Sequence, residues 1–171
     1  MTSCSLSLQQ FFLQLQTDTL PSATTVITGN KENPQLTGYA YFYQIPFGGV
    51  LIEIEVCGLP PQTTEDSSFF GLHIHEKGNC TPPFDQTGNH YNPANQPHPF
   101  HAGDLPPLLS NEGYAYSVFY TRRFQLLDII NRSLIIHDMP DDFTTQPSGK
   151  SGKKIGCGVI TTVQRNTFPE Y

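Results

Sequence analysis

The chain has 171 residues, enough for one domain with a hydrophobic core of its own. Its 14 Gly and 15 Pro residues disfavour a helical protein, and its 37% hydrophobic residues exclude a disordered one. The net charge of −6 argues against a nucleic-acid-binding protein, which normally carries a basic excess.

The sequence carries no sign of a membrane or nucleic-acid partner. No apolar run approaches the roughly 18 residues of a membrane helix, and residues 1–30 contain no Lys or Arg for a secretion signal. We therefore expect a cytoplasmic protein, or an extracytoplasmic one if a signal has been removed. The cysteines Cys4, Cys57, Cys80 and Cys157 are too few for a disulfide framework. We interpret Cys57 as a small core residue.

Short strands dominate the predicted elements. Residues 1–20 follow neither a strand nor a helix period, and we interpret them as an N-terminal extension of uncertain order. After it, alternation and turn residues predict strands at 24–28, 38–44, 50–56, 69–75, 114–120, 124–130, 133–136 and 155–163. The second of these strands places three tyrosines on one face, opposite Ala40 and Phe42.

Two long irregular segments interrupt the strands, a first loop at 76–110 and a second loop at 138–154. Loops of this length in a compact domain are usually functional. The pattern predicts an all-β fold, an eight-stranded Greek-key β-barrel related to the immunoglobulin-like sandwich, with two functional loops. We assign this domain to residues 21–165 and a C-terminal tail to 166–171.

The histidines are concentrated in one region. All six lie between His73 and His137, around the two loops. His73 and His75 point to the same side of a strand, about 7 Å apart, and the HxxHxxD segment His98–Asp104 adds two imidazoles and a carboxylate. A lone histidine is usually structural, but this nitrogen-rich set without thiolates is typical of copper and zinc sites.

Five segments in order carry a family resemblance: Gly71–Gly78, Gly88–Pro93, His98–Pro106, Ser133–Asp138 and Ile155–Ile160. Together they resemble the copper/zinc superoxide dismutase family, in its bacterial form, over residues 22–163. The resemblance implies copper and zinc as cofactors. It implies copper ligation by His73, His75, His90 and His137, and zinc ligation by His90, His98, His101 and Asp104.

The same resemblance implies further roles. Asp141 would link a copper histidine to a zinc histidine, and Cys80 and Cys157 would form a disulfide. His90 would be the catalytic imidazole between the metals. Lys154 would guide the anionic substrate from a position where the family usually has arginine, so we expect slower turnover.

The implied activity is conversion of superoxide to oxygen and hydrogen peroxide. A non-catalytic metal-binding or copper-delivery module on the same fold is the alternative, and a purely structural adhesion domain does not explain the histidine positions. Both a monomer and a homodimer remain open.

Overall fold

The computed structural model describes residues 20–46, 48–61 and 68–163. Their strands are β1 (Ala23–Gly29), β2 (Thr37–Gln44), β3 (Val50–Cys57), β4 (Phe69–Phe70), β5 (Leu72–His75), β6 (Leu108–Leu109), β7 (Ala115–Thr121), β8 (Ser133–His137), β9 (Lys154–Val159) and β10 (Thr161–Thr162). A short 3₁₀ helix spans Asp85–Thr87, and one α-helical turn, α1, spans Leu126–Ile129. Apart from Leu20, the predicted N-terminal extension with Cys4 lies outside the described residues, as does the predicted tail 166–171.

Eight of the strands form one antiparallel sheet. Seven follow the order β5-β8-β9-β1-β2-β3-β7, and β10 pairs with β1, while β4 and β6 form a separate two-stranded sheet. Strands distant in the chain therefore become neighbours, notably β9 beside β1 and β5 beside β8. The prediction of an all-β fold is confirmed, and the main sheet has eight strands, although these are not all the eight strands predicted from the sequence. In the described part of the chain, no helix has the length and apolarity needed to cross a membrane.

Alternation along the strands builds the core. In β2 the side chains of Ala40 and Phe42 are fully buried, whereas Tyr39 and Tyr41 are exposed on the opposite face. Phe42 lies opposite Ile52 across the β2–β3 pair, so the buried faces of the two strands meet. The main hydrophobic cluster extends this packing to side chains of β1, β5, β8 and β9. The core therefore lies on one face of the sheet, as the alternation predicts.

The predicted strand at 124–130 is wrong. This segment contains α1, with Leu126 and Ile129 buried three residues apart on one side. The backbone N–H of Gln125 donates to the Asp128 carboxylate at 2.8 Å, which caps the turn. A short apolar run fits both the two-residue period of a strand and the 3.6-residue period of a helix. Here the Asp128 cap and the burial of two residues three apart favour the helix.

Two predicted strands are each divided. The strand at 69–75 is broken at Gly71, whose N–H donates to Met139 O while its carbonyl accepts from His137 N. The strand at 155–163 is broken at Ile160, whose N–H donates to Arg132 O. These cross-links place β4 in the second sheet and leave β5 as a short partner of β8.

The interpretation of Cys57 as a core residue is also wrong, because its free thiol is exposed. Cys57 lies on the same face of β3 as Glu53 and Glu55, which is the solvent side of the sheet.

A disulfide between Cys80 and Cys157 joins the first loop to β9, 77 residues further along the chain. Its sulfur atoms belong to a small apolar cluster with the buried side chains of Phe84 and Ile135. The pairing implied by the family resemblance is therefore confirmed. It anchors a long irregular segment to the sheet beside the histidines.

We expect replacement of Cys80 and Cys157 by serine to lower the free energy of unfolding by about 4 kcal/mol, from the lost loop-closure constraint. Urea unfolding of the metal-free protein would measure this change without a contribution from metal binding. Cys57→Ser is the matched control and should leave the stability nearly unchanged. Equal stabilities for the two variants would contradict the anchoring role.

Candidate metal centre

Two groups of buried donor side chains lie next to each other, and they share one residue. The first group, called site A, comprises His73, His75, His90 and His137. The second group, called site B, comprises His90, His98, His101 and Asp104. Within each group the candidate donor atoms all lie within 4.8 Å of one another. All six histidines of the chain are thus brought together, although each group draws on separate strands and loops.

The β5–β8 pair positions three rings of site A. Leu72 and Ile74 point into the core, so the alternating His73 and His75 lie on the other face of β5. His137 ends β8, after an irregularity in the ladder that follows Ile136. As a result the Nε2 atoms of His75 and His137 lie 3.3 Å apart.

His90 lies between the two sites. It is in the first loop, where an isolated β-bridge joins it to His75. Its ring stacks on that of His73, with centroids 3.8 Å apart, and its Nδ1 lies 2.8 Å from Asp104 Oδ1. Nδ1 is therefore directed at a donor of site B, and Nε2 is the nitrogen left for site A.

The donor atoms fit a pair of metals. Buried ring nitrogens without a hydrogen-bond partner among the described residues are His73 Nδ1, His90 Nε2, His98 Nδ1 and His101 Nδ1. Of these, His98 Nδ1 and His101 Nδ1 lie 3.1 and 3.3 Å from the carboxylate oxygens of Asp104. Leaving a buried nitrogen such as His73 Nδ1 or His90 Nε2 unpaired costs roughly 1–3 kcal/mol. A bound cation would satisfy them, and a set rich in imidazole with one carboxylate suits copper and zinc.

Protonation also favours metal binding. Burial lowers the pKa of His73 to about 4, although the neighbouring Asp141 opposes this shift. Burial, reinforced by neighbouring histidines, lowers the pKa values of His75 and His137 well below the usual range. These rings are neutral at pH 7, the form in which imidazole binds metals.

Asp141 links the two sites through His73 and His98. Its two carboxylate oxygens each lie 2.8 Å from a ring nitrogen, Oδ2 from His73 Nε2 and Oδ1 from His98 Nε2. Burial alone would raise the pKa of Asp141, but hydrogen bonds from His73, Phe143 N and His98 lower it to about 2. Because Asp141 engages Nε2 of both rings, Nδ1 is left as the donor atom, in site A for His73 and in site B for His98.

Gly149 of the second loop packs directly against this carboxylate. Its φ is +67°, and a Cβ at this position would overlap Asp141 Oδ1. Glycine is therefore required both for the backbone conformation and for the close approach.

An open cavity of about 440 Å³ reaches both sites; it is lined by His75, His90, His101, His137 and Lys154, among others. The Lys154 Nζ donates to Thr87 Oγ1 at 2.8 Å and to Gly88 O at 3.2 Å. Burial lowers its pKa, opposed by Asp85. The cavity wall therefore carries a cation directly beside the site A histidines.

Sequence reasoning missed two side chains that hold the first loop. Gln146 exchanges hydrogen bonds with the backbone of His98, donating to its carbonyl at 2.7 Å and accepting from its N–H at 3.0 Å. Arg123 donates to three backbone carbonyls between residues 99 and 104. Neither residue belongs to a motif, and both contacts join segments distant in the chain.

We expect Asp141→Asn to weaken metal binding at both sites by about 10–100-fold. An asparagine has one acceptor oxygen, so it cannot receive the N–H groups of both His73 and His98. Competition titrations with chromogenic chelators would measure the zinc and copper affinities.

Asp142→Asn is the control with the same charge change, because the Asp142 side chain bonds to Thr144 and Thr145 instead of a histidine. Equal affinities for the two variants would contradict the linking role of Asp141.

The sequence of the chain matches a known protein family. The family model for copper/zinc superoxide dismutase matches residues 36–160. A Cu-Zn superoxide dismutase of Aquifex aeolicus is 34% identical over 128 residues, covering 66% of this chain and 72% of the relative. The human copper chaperone for superoxide dismutase is 30% identical and covers 81% of this chain and 52% of the relative.

Solved structures agree with this result. A double mutant of a superoxide dismutase-like protein from Bacillus subtilis aligns with a TM-score of 0.72 and 31% identity, over 81% of this chain and 96% of that one. The fold is the Greek-key β-barrel of these neighbours. The sheet, the two groups of donor side chains and the sequence match lead to one conclusion: the chain belongs to the copper/zinc superoxide dismutase family.

Proposed function

We propose that the protein is a superoxide dismutase, with copper held at site A and zinc at site B. The observation that carries this proposal is the position of His90. Its ring contributes a donor atom to each site and also lines the open cavity. A small anion in that cavity would lie beside the shared imidazole.

The reaction converts two superoxide anions and two protons into one oxygen and one hydrogen peroxide. Copper supplies the one-electron redox change that this requires, whereas zinc has no redox chemistry. His73, His75 and His137 would hold the redox metal. His98, His101 and Asp104 would hold zinc on the opposite side of His90.

His90 would also handle a proton. Asp104 engages the Nδ1 side of the ring at 2.8 Å, so Nε2 is the atom that can take up and release a proton next to site A. Nε2 is buried and lacks a hydrogen-bond partner among the described residues. The single lone pair of Nε2 can bind either a metal ion or a proton. A proton taken up there while the nitrogen does not bind metal could pass to the peroxide product, and water in the cavity would supply the second proton.

Lys154 would serve the reaction in two ways. Its positive charge in the cavity wall favours the arrival of an anion, even on a chain with a net charge of −6. Its Nζ also holds Gly88 O, the carbonyl that lies 2.9 Å from His75 Nδ1. Lysine lacks the planar two-pronged donor geometry of arginine, so we expect the anion to be less well oriented.

The alternative is a metal-binding or copper-delivery protein. The chaperone among the relatives favours it, because that protein shares the family sequence without being named an enzyme. Both donor sets are nevertheless complete in this chain, which supports the enzyme.

Superoxide decay after pulse radiolysis tests the proposal, on protein whose copper and zinc have been counted by mass spectrometry. We expect one copper and one zinc per chain and decay far faster than in buffer. A copper-loaded protein that does not accelerate the decay would overturn the enzymatic function and favour the delivery protein.

We expect Lys154→Met to lower turnover at low ionic strength by about tenfold and to weaken its salt dependence. Lys154→Arg should retain or raise the wild-type rate. Lys153→Met removes the same charge from an exposed position outside the cavity lining. Equal turnover rates for Lys153→Met and Lys154→Met would contradict a specific role of Lys154, because only the net charge of the protein would then affect turnover.

A further inference from the structure

Two side chains from outside hold the backbone of residues 98–104, the segment that would bind zinc. Gln146 bonds to His98 at its start, and Arg123 bonds to the residues that follow. Arg123 lies in the turn between β7 and α1. Its Nη1 donates to Pro99 O at 2.9 Å, to His101 O at 3.0 Å and to Asp104 O at 3.3 Å. Three carbonyls of the segment therefore converge on one guanidinium nitrogen.

Two of the three carbonyls belong to donor residues of site B, His101 and Asp104. The third belongs to Pro99, the residue after His98. The segment has no strand or helix beyond an isolated bridge at Asp104. Its internal bonds are few, for example His101 N–H to Asp104 Oδ2 at 3.0 Å. Within the segment, Asp104 N–H also donates to His101 O at 3.3 Å. Arg123 adds a charged donor to all three carbonyls from the turn beside the sheet.

We propose that Arg123 is a positioning residue for zinc, which holds the backbone so that the donors of His101 and Asp104 converge before the metal binds. This inference rests on the proposed zinc role of site B. Arg123 touches the metal ligands only through their carbonyls, so it does not itself take part in the reaction.

The direction of the change in zinc affinity distinguishes a positioning role of Arg123 from a simple electrostatic effect. A cation close to a zinc site repels the metal, so charge alone predicts tighter zinc binding when Arg123 is removed. Positioning predicts weaker zinc binding, because without Arg123 the loop would have to become ordered when the metal binds.

The neighbouring Arg122 provides a matched control. Both arginines are exposed, but Arg122 makes none of the contacts to residues 98–104 that Arg123 makes. Arg122→Met and Arg123→Met remove the same charge from adjacent positions. We expect Arg123→Met to weaken zinc binding by about 10–100-fold relative to Arg122→Met.

The experiment uses full-length metal-free protein, titrated with zinc against a chromogenic chelator. Cobalt(II) placed at site B would report ligand geometry through its visible absorption bands. We expect altered bands for Arg123→Met, and a partial return of both affinity and bands for Arg123→Lys, which keeps a donor of smaller reach. Should Arg123→Met fail to fold, Arg123→Lys would carry the comparison against Arg122→Lys.

The outcomes separate the two proposals. If wild-type protein binds zinc and the Arg122 and Arg123 variants bind it equally, with unchanged cobalt bands, the positioning role is overturned and the proposed function stands. Tighter binding by Arg123→Met would overturn it in favour of electrostatics. Failure of the wild-type protein to bind zinc would overturn the zinc role of site B as well.

Discussion

The imidazole of His90 belongs to two sets of donor atoms at once, and the rest of the structure has to satisfy that arrangement. A five-membered ring is rigid, so the separation of its two nitrogens sets how far apart the sites can lie. Site A has to be assembled on one side of the ring from neighbouring strands, and site B on the other side from a loop. Asp141 provides a second link between the sites through His73 and His98. Two connections thus fix the relative position of the donor sets.

This arrangement buries polar groups that would otherwise destabilise the fold. Six imidazoles and the carboxylates of Asp104 and Asp141 are all less than a tenth exposed. Such groups need partners, which the loops and the implied metals supply. The loops in turn need anchors, since they have little regular structure. The disulfide attaches the first loop to β9, Gln146 joins the second loop to the first, and Gly149 brings its backbone against Asp141.

Parts of this account can be read from the sequence by physical reasoning alone. Alternation in β5 predicts that His73 and His75 share a face, and the spacing of His98, His101 and Asp104 predicts a second donor group. The sharing of His90, the role of Asp141 and the disulfide came from the family resemblance, because no local pattern encodes contacts over such distances. For Cys57, the alternation of β3 indicates the solvent face, and this local pattern overrides the general preference of cysteine for burial.

Other features could not be predicted from the chain. Arg123 and Gln146 act through backbone carbonyls of a loop, which leave no periodic signal in the sequence. The apolar run around α1 fits a strand as well as a helix, and only its packing against the core decides between them. The division of two predicted strands depends on single cross-links at Gly71 and Ile160. Tertiary contacts, in each of these places, override the local pattern.

The shared imidazole can be tested most directly by electron paramagnetic resonance on protein loaded with Cu(II) at both sites. An imidazolate between two Cu(II) ions couples their unpaired electrons, so the signal of a single copper should largely disappear when the second ion binds. Removal of the second ion should restore it. Two independent Cu(II) signals that simply add would contradict the central position of His90.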